Sequence, residues 1–296
     1  MPGDLVPSSD AFAPPVPVPE ARDLSTEDRA ALTRAVQLLD RSSFATRISG
    51  LFGHQIEAMG RVVPERLATA AARGATKALQ AALRVAMKSL DGERKAASPR
   101  LHLALGAMSG AAGGAFGLST LPLELPFSTI VMLRSIADIA RAEGENLGDP
   151  EAALACLQVF ALGGQQAAAG EQAILEGGYF AVRGLLAKTM SEAARYLVQR
   201  GVAEEGAPVL VRLVALVATR FGVVVTQKAM AQALPILGAA GGAAINVAFT
   251  QHFQDVARGH FTVRRLERLY GEETVRAAYE EIRAGRGGET SAAAAA

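Results

Sequence analysis

The chain has 296 residues, half of them apolar but only 5% aromatic and none of them Trp, which is enough for one large domain or two small ones. A formal net charge of +1 excludes a global electrostatic pull towards nucleic acid, and the single cysteine, Cys156, excludes an intramolecular disulfide or a cysteine-based zinc site. A mean hydropathy of +0.21 is high for a soluble protein and low for one that crosses a membrane many times.

The first 24 residues, rich in proline and small side chains, carry neither a basic n-region nor an apolar h-region. They read as a disordered arm, with no secretory signal and a cytoplasmic location expected. Ser25, with Asp28 three residues on, is an N-cap signal, and Leu32, Val36 and Leu39 follow at helical spacing. A second helix carries Phe44, Ile48, Leu51 and Phe52 as far as Gly60. Pro64 opens a long Ala-rich helix that reaches about Leu90, and Asp91-Gly92 ends it. Ser98-Pro99 then leads into an uncharged segment, Leu101 to Leu123, which contains the hexapeptide Gly-Ala-Ala-Gly-Gly-Ala.

In LSTLPLELPF, Pro122 and Pro126 bracket Glu124, and Pro126 is expected to start a helix with the stripe Ile130, Leu133, Ile136, Ala137 and Ala140. Gly144 closes it, and Asp149-Pro150 caps the next helix, where Cys156 occupies an apolar position. Gly163-Gly164 and Gly177-Gly178 flank a short polar piece. Amphipathic Tyr179 to Gln199 follows, then the more apolar Pro208 to Ala233 with Arg212, Arg220 and Lys228 as isolated charges.

Beyond Pro235 the hexapeptide recurs at Gly238 to Ala243, and a helix continues through Asn246 and His252 towards Arg258. Two short helices separated at Gly271 are expected after that, and a low-complexity tail over 286–296. No period-2 stretch of useful length occurs, so the chain reads as all-α: one multi-helix bundle over 25–285 with two Gly/Ala-rich helices packed centrally. Glycine costs about 1 kcal/mol against alanine inside a helix, so grouped glycines need a packing reason. Close backbone approach supplies one, which makes Gly110, Gly113, Gly114, Gly238, Gly241 and Gly242 candidate helix-packing positions.

Three blocks carry a resemblance: FATRISGLFGHQIEAMGRVVPERL, LPLELPFSTIVMLRSIADIARAEGENLGDPEAAL, and ALPILGAAGGAAINVAFTQHFQDVARGHFTVRRLERLYG. From Ser43 to Tyr279 the chain resembles the EcsC protein family. The third block is the most specific, combining Pro235, the Gly238–Gly242 cluster, Asn246, Phe249, His260, Arg264, Glu267 and Tyr270-Gly271 in order. The resemblance implies a bacterial, helical, membrane-associated accessory protein with no assigned reaction and no cofactor. It also implies a membrane protein such as an ABC transporter as partner. Glu124 stands where the family often has Asp.

Several side chains are candidates for chemistry. Glu124 in a Pro-fixed loop would serve as a proton acceptor if buried, while a cap on the helix beginning at Pro126 is the simpler role. His252 and His260 are eight residues apart, about 12 Å of rise and 80° of rotation on one helix. They share no metal unless Gly259 breaks the helix, and no metal site is expected. A peptidase-like hydrolase would need Glu124 to meet one of them. Asn246, in an apolar run, needs a partner such as a backbone carbonyl or Gln232. Arg264, Arg265 and Arg268 form a small basic face, either plain surface or an anchor for anionic lipid. The leading expectation is a non-enzymatic protein peripheral to the inner face of the cytoplasmic membrane. A soluble carrier of lipid or another apolar ligand is the alternative.

Overall fold

The segment PEAALACLQVFALG has apolar side chains at nearly every position, so as a helix it has no face to turn to water and belongs inside. The computed structural model describes residues 23–40, 44, 47–48, 50, 65–89, 121–164, 178–200, 206–232 and 238–294. Its helices are α1 (Thr26–Leu39), α2 (Glu65–Ser89), α3 (Leu121–Ala142), α4 (Pro150–Gly163), α5 (Tyr179–Arg200), α6 (Pro208–Gln232), α7 (Gly238–Tyr270) and α8 (Glu272–Ala294). No strand occurs among the described residues. Helix α4 is that segment: every residue from Ala152 to Leu162 is buried. It packs against α2, α3, α5, α6 and α7. Around it α2 lies along α6 and α3, while α1 and α8 lie on α7.

Phenylalanine rings join the layers in edge-to-face and tilted pairs. Phe160 of α4 meets Phe221 of α6 at 5.0 Å and Phe253 of α7 at 5.3 Å, and Phe44 meets Phe249 at 5.4 Å. Such pairs add about 0.5–1.5 kcal/mol each beyond the area they bury. Terminal signals act where they are expected. Ser25 Oγ accepts from the Asp28 amide, and Asp149 Oδ1 accepts from the Glu151 amide ahead of Pro150. Gly144, at φ +82°, closes α3 in a Schellman motif, with the Glu145 amide bonding the Ala140 carbonyl at 2.9 Å.

Three local expectations change. Helix α3 begins at Leu121, so Pro126 lies inside it and Glu124 is on its first turns rather than in a loop. Pro122 falls among the first amides, which have no intrahelical partner, whereas Pro126 forfeits the one bond to the Pro122 carbonyl. Helix α7 runs unbroken through Gly259 to Tyr270 instead of pausing near Arg258. Gly259 is there for contact: a Cβ would press on Leu39 at 2.7 Å and on the Ala35 carbonyl at 3.1 Å, so it lets α1 cross closely. Helix α8 continues to Ala294, through the stretch read as a low-complexity tail, and ends on alanines, the best helix formers. The first glycine segment, with Gly110, Gly113 and Gly114, lies outside the described residues, as do His54 and His102.

Gly164, the C-cap of α4, has no room for a side chain, because a Cβ would run into the Arg220 carbonyl of α6. Gly164→Ala is therefore expected to destabilise by about 1–3 kcal/mol. Gly184, mid-helix in α5 with nothing within 4 Å, is the control. Gly184→Ala should stabilise by about 0.5–1 kcal/mol. Urea midpoints of the two variants moving the same way would contradict this account.

Candidate functional site

Glu124 and Lys228 are lone charges in apolar helices, and each solves the other's burial. Lys228 Nζ donates to Glu124 Oε1 at 2.7 Å, with both side chains almost wholly out of solvent, at 0% and 4% exposure. One turn further along α6, Gln232 Nε2 donates to both carboxylate oxygens at 3.3 and 3.4 Å. The ammonium also lies 4.8 Å from the centre of the Phe249 ring. Burial pushes the Lys228 ammonium below its ordinary range, and Glu124 pulls the other way. Glu124 is thus neither a helix cap nor a free proton acceptor. It is half of an ion pair that joins α3 to α6 over α7. Gln232, expected as a partner for Asn246, serves the carboxylate instead, while Asn246 is buried on α7.

The histidines are placed apart from this pair. His252 Nε2 bonds the Gly163 carbonyl at 2.8 Å, and its ring packs against Phe44 and Phe253. Burial pushes its pKa down to about 4, with the Gly163 bond opposing. His260 Nδ1 is 2.8 Å from the Tyr179 hydroxyl. Arg183 Nη1 donates to that same oxygen at 3.3 Å, and with the hydroxyl proton turned to His260 the imidazole is neutral and carries its proton on Nε2. Burial holds this imidazole well below its ordinary pKa, helped by Arg183 and Arg264. Arg183 is itself gripped by Glu267, at 2.5 and 3.0 Å. Neither histidine bonds Glu124, so the glutamate–histidine pair that the hydrolase reading calls for is not assembled. Cys156, the buried thiol of α4, is pushed up to about 12 by burial.

Arg264, Arg265 and Arg268 occupy the last turns of α7, and carboxylates of the same chain take all three. Arg264 Nε bonds Glu145 at 2.8 Å, and Arg268 bonds the same carboxylate. Arg265 bridges Glu143 at 3.0 Å and Asp28 at 3.2 Å. Tyr270 also donates to Asp28, at 2.7 Å. These guanidinium groups hold the α3–α4 turn and α1 against α7. In the second glycine cluster, Gly238 opens α7, and Gly241 and Gly242 are buried one turn on.

Two surface features lie outside the sequence reading. Consecutive helices α5 and α6, packed on each other, expose Leu185 at 56%, Val198 at 72% and Val211 at 51%. Beside α5 is a groove of about 590 Å³, walled also by α4 and by parts of α7 and α8. Such features depend on which helix faces remain uncovered, and local periodicity does not report that. Helix α6 is the one described helix long and apolar enough to cross a membrane, with a mean hydropathy of 2.0 over its best window, half of it buried. Among the described residues no group of three His, Cys, Asp or Glu side chains is placed to hold a metal ion. The family model of the EcsC protein family matches residues 30–266. No curated protein and no solved structure matches the chain.

Proposed function

The chain belongs to the EcsC protein family, and from that premise we propose a non-enzymatic accessory protein that docks on the inner face of the cytoplasmic membrane through its α5–α6 pair. The observation that carries this is an apolar helix the bundle covers by only half, next to three large aliphatic side chains open to water. Large aliphatic side chains left open to water on two packed helices are what an apolar protein or membrane contact would use.

The attachment is peripheral. A spanning α6 would have to give up Lys228 and Phe221, which are locked into the ion pair and the aromatic core. The arginines of α7 contribute little, since they are paired within the chain. Over 188–212 the sequence carries four basic residues, Lys188, Arg195, Arg200 and Arg212, against Glu192, Glu204 and Glu205, an excess of one. Each unpaired basic side chain near an anionic surface adds about 1 kcal/mol. Preference for anionic lipid is therefore modest, and apolar insertion dominates. The family resemblance supplies the transporter as the class of membrane partner.

Flotation of the full chain with neutral and with anionic vesicles tests this. The wild type should float with both, slightly better with anionic ones. The triple variant Leu185→Ser, Val198→Ser, Val211→Ser should stay at the bottom with an unchanged circular dichroism melt, because all three positions are exposed. A wild type that floats with neither vesicle, or a triple variant that floats as well as wild type, overturns the proposal.

A further inference from the structure

We infer that the groove beside α5 binds a small amphiphile carrying a carboxylate, an adjacent amide and an apolar chain, of the N-acyl amino acid type. The inference does not rest on the membrane reading, which uses the exposed aliphatic side chains of α5 and α6. Its volume, about 590 Å³, falls within the range of small-molecule sites.

The floor carries the first observation. Gln158 lines the groove from the otherwise apolar α4, is 95% buried, and has no hydrogen-bond partner among the described residues. Its amide is free of bonds to the described residues and opens on the groove, where a ligand can take the place of water. Since the amide offers one acceptor and two donors, it is matched by another amide, which accepts and donates in turn.

At one end the Phe180 ring holds two guanidinium groups that also line the groove: Arg183 at 5.6 Å and Arg276 at 5.4 Å from its centre. Arg183 is fixed from behind by both oxygens of Glu267, whereas Arg276 spends only Nε, on Glu280 at 3.2 Å. Guanidinium donors therefore remain for an oxyanion. The charge of that anion is limited, because Glu272, Glu151 and Asp149 line the same groove. A polyphosphate would face all three carboxylates, and a single carboxylate would not overload the arginines. Along the other end Met190 and Ala194 supply an apolar wall for a chain.

Calorimetric titration of the full chain with N-octanoylglycine tests the assignment, with octanoate lacking the amide and N-octanoylethanolamine lacking the carboxylate. The wild type should bind N-octanoylglycine at one saturable site, about ten-fold tighter than either comparator, the value of one hydrogen bond to a charged or buried partner. Gln158→Leu should erase the advantage over octanoate while leaving the melting temperature no lower. Arg276→Gln, at an exposed position, should erase the advantage over the ethanolamide. Ala187→Trp, filling the groove from an exposed helix position, should weaken all three. No saturable binding by wild type, or equal binding by wild type, Gln158→Leu and Ala187→Trp, overturns the inference.

Discussion

Lys228→Met is expected to lower stability by about 3–5 kcal/mol, and the double variant Glu124→Leu, Lys228→Met to recover most of that loss. In the single variant Glu124 stays between α3 and α6 with, among the described residues, the Gln232 amide left to answer its charge. Removing one member of a buried pair leaves the other's desolvation unanswered, and that cost exceeds the net worth of the pair. Glu124→Gln should be similarly harmful, because it leaves an ammonium at 0% exposure facing a neutral amide and the Phe249 ring. Replacing both charges with aliphatic side chains of similar volume removes the desolvation cost at both ends. Denaturant unfolding of the four chains completes the cycle. Additive losses in the double variant would show that the two side chains do not act as a pair.

That pair shows where reading the sequence reaches and where it stops. Ser25, Gly144, Asp149-Pro150 and Gly271 act through neighbours a few residues away, so the helix ends they specify are legible locally, and most appear as expected. Glu124 was legible as unusual, a carboxylate between apolar helices, but its partner is 104 residues away. A signal was present, since Lys228 is one of three isolated cations, with Arg212 and Arg220, in the apolar α6. Lone opposite charges in a shared core have to meet or be neutralised. For Arg264, Arg265 and Arg268 the sequence left plain surface and lipid anchor both open, for the related reason that a helix face looks solvated until its partners are known. Glu143, Glu145 and Asp28 come from the α3–α4 turn and from α1. The central helix was the plainest case, because eleven successive buried residues leave no amphipathic choice. The groove and the exposed aliphatic side chains were not legible, since both are defined by neighbours that are absent.

Acidification from pH 7.5 to 5 is expected to destabilise the folded chain by on the order of 2 kcal/mol through His252 alone, with His260 adding in the same direction. The His252 pKa is depressed to about 4 by burial, from an ordinary value of 6.5. Between those values the unfolded chain binds a proton that the folded chain refuses, so stability is complete above pH 6.5 and drains away as pH falls towards 4. His260 follows the same sign for a second reason visible in its contacts. A proton on Nδ1 would displace the one donated by Tyr179, beside Arg183 and Arg264, which are already positive. Carboxylates act lower down. Asp28 is held below its usual range by the Tyr270 hydroxyl, and Glu145 by Arg264 and Arg268 against the push of burial. Their contributions are lost only as pH falls through the acid range. Asp40, raised by burial against Arg283 and Arg286, takes up its proton with the opposite sign, so the fall from pH 6.5 to 5 is the histidines' work against that carboxyl. Urea midpoints at half-unit steps should fall across that window. His252→Gln, which keeps an amide donor for the Gly163 carbonyl, should flatten the slope by about one proton's worth. A wild-type midpoint that stays level from pH 7.5 to 5 would show that both imidazoles take up protons within the fold, and the neutral His252–Gly163 and Tyr179–His260 bonds would have to be abandoned.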